Sequence, residues 1–528
     1  MSNHAYESAA ALRPSSNGPI PISTLCERFS LAPASAEDAA ALNDLSILGV
    51  SVDSADTAPG ELFVGLPGFT VHGARFAADA VASGAVAVLT DADGAQIVHQ
   101  TAPGTPTLVH SDPRAVVGPL SAEVYHHPAR GLVTTAVTGT NGKTTTAYFL
   151  DAILSAHVGG CMVAGTVELR VGERSVESPR TTVEAPVLQR MMALAVEDKV
   201  GAASLEASSH AIVLHRLDGI VVDVAGFTNL QRDHLDFHKT MEGYLEAKAQ
   251  LFTPEHARRG VVCVDDQWGA ALAAEAPIEI DRVRAYPGET PADWWVSDAA
   301  VSLTDSATTF TLHGPDGEKI EASCPLPGLV NVQNAALALV MAIRAGVPAA
   351  TAAAALAGAH NIPGRMQRIS QRDGRRGLCI VDFAHTPEAM ELALKAVRPI
   401  TPGRLIVVFG SDGDRDQGKR PMLGEVCARL ADVLVVTDEN PRSEDPQLIR
   451  NAILEGVRGV RPDLTDVEEI TTWRGDAVRR GVELCGPDDT VIVTGKGHEP
   501  FLEMAGEFIR YNDAPVMAEA VEEKWGRA

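Results

Sequence analysis

Short apolar runs recur along the chain and alternate with stretches of helical periodicity. In the first quarter, residues 62–64 and 85–89 predict strands, and residues 76–82 predict an Ala-rich helix. Further strands are predicted at residues 132–137, 202–205, 220–227 and 261–264. Strands that alternate with helices are typical of an α/β fold with a mainly parallel sheet.

The pattern changes in the second half of the chain. Residues 296–313 alternate apolar and polar positions around Asp305 and Ser306, which predicts an antiparallel hairpin, and a helix is predicted over residues 332–345. Residues 361–364 contain Pro and Gly, which interrupt the preceding Ala-rich helix. We expect a domain boundary there.

Beyond this break the alternation of strands and helices starts again. Strands are predicted at residues 378–381, 405–409, 433–436 and 491–494, with helices at 387–397 and 422–430. This order predicts a doubly wound, Rossmann-like sheet, in which ligands bind at the carboxyl ends of the strands. Polar clusters follow several of these strands, which favours a functional role for them.

These patterns predict three domains after a loose N-terminal tail. The expected segments are the tail at 1–20, an N-terminal α/β domain at 21–127, a central domain at 128–361 and a C-terminal Rossmann-like domain at 362–528. A chain of 528 residues is long enough for three such domains.

The amino-acid composition disfavours several classes of binding partner and of structural site. The chain has 44 Lys and Arg against 69 Asp and Glu, a net charge of -25, which disfavours nucleic acid or an anionic membrane as a partner. The seven cysteines are scattered without C-x-x-C pairs, which predicts neither a disulfide framework nor a zinc ribbon. No signal peptide or membrane span is predicted, so we expect a cytoplasmic protein.

A phosphate-binding loop follows the strand at residues 132–137. Its glycines allow backbone N–H groups to approach phosphate oxygens, Lys143 supplies a cation, and the hydroxyl of Thr144 can reach a magnesium ion. The loop differs from the common P-loop spacing, because Val137 stands where that motif has its first glycine. The loop residues are Gly139, Thr140, Asn141, Gly142, Lys143, Thr144 and Thr145.

Two further strands end in polar clusters. Glu206 follows one of them and His234 follows another. A carboxylate and an imidazole at neighbouring strand ends can complete a magnesium shell whose other positions hold water and phosphate oxygens. Lys248 lies on a predicted helix, where a lysine by itself is typical of a solvated surface.

Taken together, these motifs resemble the Mur ligases of peptidoglycan synthesis, and the resemblance extends over all three domains. Its C-terminal motifs are similar to those of MurE-type members, which add the third residue of the stem peptide. The motifs are residues 139–145, 206–210, 228–234, 246–248, 363–365, 382–387, 413–421, 440–446 and 494–499.

The resemblance implies an ATP-dependent acid–amino-acid ligase that acts in cell-wall biogenesis, cell shape and cell division. Its expected substrates are UDP-N-acetylmuramoyl-L-alanyl-D-glutamate, ATP and a diamino acid, and its expected state is a monomer. The acid is first converted to an acyl phosphate, because a free carboxylate does not accept an amine at neutral pH. Mg²⁺ and CO₂-derived carbamate on Lys248 (N6-carboxylysine) are implied cofactors, with Lys143, Glu206, His234 and Lys248 as the catalytic residues.

The same resemblance assigns the other binding residues. ATP contacts are implied for Asn331, Asn334, Arg365, Asp382 and His385. Contacts to the UDP-muramoyl dipeptide are implied for Val52, Ser54, Thr181, Thr182, Ser208 and Arg216. The chain departs from the family at Ala55, where an arginine is usual, and at Leu214, where a glutamine is frequent.

The motifs also bear on which diamino acid is the substrate. Its implied contacts are Arg415, Glu439, Asn440, Pro441, Arg442, Gly495 and Glu499. Enzymes of this family that select meso-diaminopimelate carry Asp-Asn-Pro-Arg, whose arginine pairs with the distal carboxylate. Arg442 is present here, so meso-diaminopimelate is expected, but Glu439 replaces the aspartate and L-lysine or another diamino acid stays open.

Two other readings compete with this one. A folylpolyglutamate-synthase-like ligase would share the phosphate loop and the lysine, but it would lack the N-terminal domain and the Asn-Pro-Arg element. A nucleotide-gated binding protein that hydrolyses ATP without ligation would need only the loop.

Overall fold

The helices and strands alternate through most of the chain, as the apolar pattern predicts. The computed structural model describes residues 11–302, 307–359 and 362–526. These fall into two compact units, one made of Met1–Trp295, Gly314–Glu318 and Asn334–Ala355, the other of Val296–His313, Lys319–Gln333 and Leu356–Ala528. Asp305, Ser306 and the start of the break at 361 lie outside the described residues.

The N-terminal part of the first unit contains a small sheet of order β2-β7-β6-β5-β4, in which β4 to β7 are parallel. Its apolar side chains, such as Leu62 and Leu108, form a buried core. The elements are β1 (Ile20–Pro21), α1 (Ile22–Phe29), β2 (Ala32–Pro33), α2 (Ala36–Leu42), β3 (Ser46–Ile47), β4 (Gly49–Ser51), β5 (Glu61–Val64), α3 (Ala77–Ala82), β6 (Ala87–Thr90), α4 (Ala92–Thr101), β7 (Thr107–Val109) and α5 (Pro113–Val124).

The rest of the first unit is built on a second sheet. Its elements are β8 (Val133–Thr138), α6 (Lys143–Val158), β9 (Cys161–Ala164), β10 (Glu168–Val171), β11 (Arg174–Glu177), α7 (Ala185–Glu197), β12 (Ala202–Glu206), α8 (Ser209–Val213), β13 (Val222–Phe227), α9 (Leu235–His238), α10 (Met241–Ala249), β14 (Ala257–Cys263), α11 (Gln267–Glu275), β15 (Glu279–Arg284) and β16 (Trp294–Val301), whose last residues belong to the second unit. The order of its first nine strands is β11-β10-β9-β12-β8-β13-β14-β15-β16, and β10 alone runs antiparallel to the other eight. β8 therefore lies in the middle, between β12 and β13.

The second unit contains the Rossmann-like sheet, of order β19-β20-β24-β21-β22-β23, in which only β19 is antiparallel. The elements that follow β16 in the chain are β17 (Thr308–His313), β18 (Lys319–Cys324), α12 (Leu329–Arg344), α13 (Ala349–Ala357), β19 (Gln367–Ser370), β20 (Leu378–Val381), α14 (Pro387–Val397), β21 (Leu405–Phe409), α15 (Lys419–Leu430), β22 (Val433–Val436), α16 (Pro446–Val460), β23 (Val467–Glu469), α17 (Arg474–Leu484), β24 (Thr490–Val493), β25 (Phe501–Met504), β26 (Glu507–Arg510) and α18 (Asp513–Trp525). Most of α12 and of α13 belongs to the first unit. The predicted mixed α/β fold with mainly parallel sheets is confirmed.

The N-terminal segment differs from its prediction where the structure describes it. Leu12 is fully buried in the apolar core of the central sheet. Arg13 pairs with Glu61, and the side chain of Ser15 donates to Glu197 at 2.5 Å. Residues 11–20 are therefore held against the first unit and are not a loose tail. Polar composition alone predicted a tail because a single buried leucine carries no periodic signal.

Each of the seven cysteines lies within the described ranges and has a free thiol. Among the described residues, no helix combines the length and the apolar character needed to cross a membrane.

A buried ion pair joins the last two helices of the second unit. Arg474 and Asp513 have fully buried side chains and form two hydrogen bonds of 2.8 Å. Arg474 also donates to the carbonyl of Asp438 at 2.9 Å and to that of Thr494 at 2.8 Å. The pair thus holds the carboxyl ends of β22 and β24, which precede the predicted diamino-acid residues.

We expect Asp513→Ala to lower the free energy of unfolding by about 3–5 kcal/mol, because it leaves a buried guanidinium without its counter-charge. Urea denaturation followed by circular dichroism measures the effect. Glu519→Ala on the same helix is the matched control, since its pair with Arg479 is exposed and contributes at most about 1 kcal/mol. Equal losses in the two variants would contradict the assignment.

Candidate active site

The phosphate loop connects the central strand β8 to the start of α6. Gly139 and Gly142 have φ values of 144° and 93°, which favour glycine. A Cβ on Gly142 would collide with Asn334 Oδ1, so the loop has no room for a side chain there. Lys143 Nζ donates to the carbonyls of Gly139 at 2.9 Å and Thr140 at 3.0 Å, which keeps its charge at the mouth of the loop. Backbone N–H groups at a helix N-terminus and an adjacent ammonium form an anion site.

A carboxylate lies directly beside this loop. Glu206 ends β12, opposite Val137 in the neighbouring parallel strand. Its carboxylate accepts hydrogen bonds from Thr144 Oγ1 at 3.0 Å and from the backbone N–H of Thr166 at 2.7 Å. The structure thus brings together Thr144 and Glu206, a hydroxyl and a carboxylate that suit Mg²⁺, and adds Thr166, which sequence reasoning missed.

His234 belongs to a group of imidazoles above the loop. Its ring centroid is 4.9 Å from that of His210, which is 5.4 Å from that of His238. His238 also stacks on Tyr244 at 4.8 Å. Burial lowers the pKa of His234, although the charge of Asp233 opposes this shift. Burial, and secondly the charge of His210, lower the pKa of His238 to about 4. Neutral imidazole is the form that binds a metal.

Glu206 and Thr144 fit a magnesium ion, because Mg²⁺ takes few protein ligands and completes its shell with water and phosphate. Within the described ranges, no group of three or more His, Cys, Asp or Glu side chains could hold a metal ion by itself.

Lys248 is buried, unlike a typical lysine on a helix. Its side chain is 1% exposed, and Nζ donates to the carbonyl of Gly139 at 2.9 Å. The ammonium lies 4.4 Å from the centre of the Tyr244 ring. Burial, and secondly the charge of Lys143, lower the pKa of Lys248 well below its usual value. The neutral amine is therefore favoured, and it contacts the phosphate loop itself.

Three of the residues expected to bind the dipeptide lie next to Glu206. Thr182 Oγ1 donates to the carbonyl of Glu206 at 2.7 Å and accepts from the backbone N–H of Ser208 at 3.0 Å. Arg216 donates to the carbonyl of Thr182 at 3.2 Å and pairs with Glu184 at 2.9 Å. A substrate carboxylate held here would lie close to the phosphate loop.

Thr181 extends this group, and the uridine-end residues lie elsewhere in the first unit. Thr166 Oγ1 donates to Thr181 Oγ1 at 3.2 Å. Val52 and Ser54 flank Asp53, whose carboxylate accepts from the N–H of Ala55 at 3.0 Å. The same turn is fixed to α7 by an ion pair of 2.9 Å between Asp56 and the buried Arg190.

In the second unit, Arg365, Asp382 and His385 come together after β20. The Asp382 carboxylate accepts from the backbone N–H of Met366 at 2.8 Å. The guanidinium of Arg365 lies 4.3 Å from the centre of the Phe383 ring, and His385 Nδ1 donates to the carbonyl of Phe383 at 2.8 Å. Of the two predicted adenine residues, Asn331 donates to the carbonyl of Pro327 at 2.8 Å in this unit, whereas Asn334 lies in the first unit beside Gly142.

The predicted diamino-acid residues follow strands β21, β22 and β24. Asn440 Nδ2 donates to Glu499 Oε2 at 3.1 Å, and the buried Lys496 bridges Asn440 Oδ1 at 2.9 Å and Glu499 at 3.0 Å. Lys496 was not singled out from the sequence, because a lysine between two glycines is typical of a loop. Gly495 lies against Glu439, since a Cβ there would meet Glu439 Oε2 at 2.5 Å.

Arg442, Pro441 and Arg415 complete this set. Arg442 has a φ of 56° and donates its backbone N–H to the backbone carbonyl of Glu503 at 3.0 Å, which fixes the end of the loop. Pro441 is buried beside Gly413, and Arg415 is exposed on the loop after β21. The structure therefore groups Glu439, Asn440, Arg442, Gly495 and Glu499, with Arg415 at the surface.

Comparison with protein families agrees with this arrangement. Residues 137–342 match the Mur ligase middle domain, residues 364–497 match "Mur ligase, glutamate ligase domain", and residues 46–123 match "Mur ligase family, catalytic domain". The three matches include the phosphate loop, Lys248 and the residues that follow β20 to β22.

Individual proteins are similar over nearly their whole length. The UDP-N-acetylmuramoyl-L-alanyl-D-glutamate–2,6-diaminopimelate ligase of Streptomyces coelicolor is 42% identical over 91% of this chain and 93% of its own. The UDP-N-acetylmuramyl-tripeptide synthetase of Leifsonia xyli subsp. xyli is 42% identical over 95% of this chain and 96% of its own. A solved structure of a UDP-N-acetylmuramoyl-L-alanyl-D-glutamate–2,6-diaminopimelate ligase superposes with a TM-score of 0.64 and 31% identity, covering 91% of this chain and 96% of that one.

Proposed function

The chain belongs to the Mur ligase family, and we propose that it joins meso-2,6-diaminopimelate to the D-glutamate of UDP-N-acetylmuramoyl-L-alanyl-D-glutamate at the expense of ATP. Several relatives are named as ligases for 2,6-diaminopimelate. The observation that carries the proposal is the hydrogen bond between Thr144 and Glu206 beside a glycine-lysine-threonine loop. Such a loop with a neighbouring hydroxyl and carboxylate suits phosphoryl transfer, and the ligation requires phosphoryl transfer. We further propose that the enzyme acts in the cytoplasm and as a monomer.

The reaction needs two steps. In the first, an oxygen of the substrate carboxylate attacks the γ-phosphorus of ATP, and ADP leaves. In the second, the amine of the diamino acid attacks the acyl carbon, phosphate leaves and the amine loses a proton. Both steps ask the protein mainly for positioning and for neutralisation of charge, since no protein nucleophile takes part.

Residues of the first unit would provide the positioning and the positive charge. Lys143 and the N-terminal N–H groups of α6 would hold the terminal phosphates, and Thr182, Ser208 and Arg216 would hold the acid next to them. Thr144, Glu206 and His234 would hold Mg²⁺, which would supply positive charge to the phosphates during transfer. In the second unit, Arg365, Asp382 and His385 would contact the nucleotide, and the residues from Glu439 to Glu499 would bind the diamino acid.

Lys248 would act as a carbamate. A neutral amine can add to CO₂, forming a nitrogen–carbon bond and releasing a proton, and its product is an anion. The low pKa of Lys248 favours the amine that this addition needs. Carbamate formation would place an anion beside Lys143 and would give the magnesium site a further oxygen ligand.

We expect phosphate release to depend on both co-substrates. Purified enzyme with ATP, the muramoyl dipeptide and meso-diaminopimelate should release phosphate in step with the tripeptide product measured by mass spectrometry. Omitting either co-substrate should lower the release at least about tenfold, because the acyl phosphate neither forms without the acid nor turns over without the amine. Lys143→Ala is the control for contaminating ATPases.

The alternatives give different results in this assay. A nucleotide-gated protein would hydrolyse ATP at the same rate with and without the dipeptide. A folylpolyglutamate-synthase-like enzyme would extend a folate glutamate and ignore the dipeptide. L-lysine in place of meso-diaminopimelate tests the remaining choice of diamino acid.

A further inference from the structure

Several polar atoms face one another at the carboxyl ends of β21 and β22 without hydrogen bonds. These parallel strands are neighbours, so the loops that follow them lie side by side. Ser411 and Glu439 are 1% and 3% exposed. Within the described ranges, Ser411 Oγ, Asp412 Oδ1, Glu439 Oε2 and Arg442 Nε have no hydrogen-bond partner. Because buried polar groups are nearly always satisfied, this set indicates a ligand site, which we call the distal pocket.

Arg442 stands between two carboxylates in the distal pocket and forms only long ion pairs with them. Its Nη2 is 3.8 Å from Asp412 Oδ1 and its Nη1 is 3.7 Å from Glu503 Oε2. Both distances exceed a hydrogen bond. The guanidinium therefore has donors left for a ligand, and Asp412 has an acceptor left beside it.

The two acidic groups of the pocket differ in their surroundings. Burial, and secondly the charge of Asp412, raise the pKa of Glu439 to about 8. Asp412 is the less buried of the two, and its carboxylate lies 3.8 Å from Arg442.

Three kinds of ligand end can be weighed against this pocket. An end that carries only a carboxylate would satisfy Arg442 and leave Asp412 next to a like charge. An end that carries only an ammonium would satisfy Asp412 and leave Arg442 without a ligand partner. An end with both groups on one carbon satisfies both, and the distal carbon of meso-diaminopimelate is such an end.

We propose that Asp412 is a specificity-determining residue that binds the distal ammonium of the incoming diamino acid, while Arg442 binds the carboxylate on the same carbon. This inference rests on the proposed ligase function and deepens it. Asp412 and Arg442 would thus recognise the two charges of the distal carbon separately, and Glu439 lies beside them in the same pocket.

The test compares meso-diaminopimelate with 2-aminopimelate, which has the same chain and distal carboxylate but lacks the distal amine. The wild-type enzyme should prefer meso-diaminopimelate by about 100-fold in kcat/KM, since the analogue has no ammonium for the Asp412 carboxylate to bind. Asp412→Asn should lower kcat/KM for meso-diaminopimelate about 10- to 100-fold and leave 2-aminopimelate unchanged or improved, because the amide carries no charge. Glu425→Gln on α15, whose partner Arg429 is exposed, is the control and should change neither substrate.

The outcomes separate the possible failures. Equal use of the two amino acids by the wild-type enzyme overturns the inference before any variant is made. An equal loss on both substrates in Asp412→Asn also overturns it, because it would show that Asp412 only supports Arg442 or the fold. If the wild-type enzyme ligates no diamino acid at all, it is the proposed function that fails.

Discussion

Lys248→Ala is expected to lower kcat for ligation by about 100- to 1000-fold, the effect of removing one group that stabilises charge in an active site. The lysine is buried, and its amine donates to the carbonyl of Gly139 in the phosphate loop at 2.9 Å. If Lys248 acts as a carbamate, the variant lacks an oxygen anion beside the phosphate loop. A small added carboxylate such as formate should enter the vacated space and restore part of the rate.

The measurement is the steady-state rate at saturating substrates, with and without formate, together with incorporation of isotope-labelled bicarbonate into the wild-type protein. Lys395→Ala is the control, because Lys395 is exposed on α14 and pairs only with Glu391 four residues away. Rescue that is specific to the Lys248 variant supports the carbamate. Full activity of that variant would falsify it, and a loss without rescue or label would show that the free amine is what matters.

The strands of the second unit could be predicted from the sequence because they are buried on both faces. Residues 405–409 and 433–436 are continuous apolar runs between turn residues, and they coincide with β21 and β22. A parallel strand covered by helices on both sides has this pattern. The prediction therefore rested on burial, which the sequence shows directly.

The burial of Lys248 could not be predicted in the same way. A lysine on a helix has the same local pattern whether its face meets water or another loop, and only the position of α10 against the phosphate loop decides this. Thr166 was missed for a related reason. Its contact with Glu206 depends on the register between β9 and β12, in which Ala164 pairs with Leu205.

The sequence predicts domain boundaries near residues 127 and 361, and these boundaries stay predictions. Contacts within the chain divide it into two units, and the first contains both N-terminal sheets. The ion pair between Arg190 on α7 and Asp56 is one contact that joins the two sheets. No local sequence pattern predicts a pair between residues so far apart in the chain.

Arg442→Ala is expected to lower kcat/KM for meso-diaminopimelate by about 100-fold, because a charged pair between guanidinium and carboxylate is lost. L-lysine has no distal carboxylate, so its kcat/KM should stay unchanged or rise. Loss of the cation between Asp412 and Glu503 makes the pocket more acidic, which favours an end that carries only an ammonium. The preference for meso-diaminopimelate over L-lysine is measured by competition in one reaction, with both products resolved by mass.

Arg442→Lys is the matched variant, since it keeps the charge but loses the planar fork of donors. Its preference should fall between those of the wild type and Arg442→Ala. The backbone φ of 56° at this position applies equally to both variants, so a shared loss would point to the loop and a graded loss to the side chain. An unchanged preference in Arg442→Ala would mean that the distal carboxylate is bound elsewhere, and the choice of meso-diaminopimelate would then lose its physical basis.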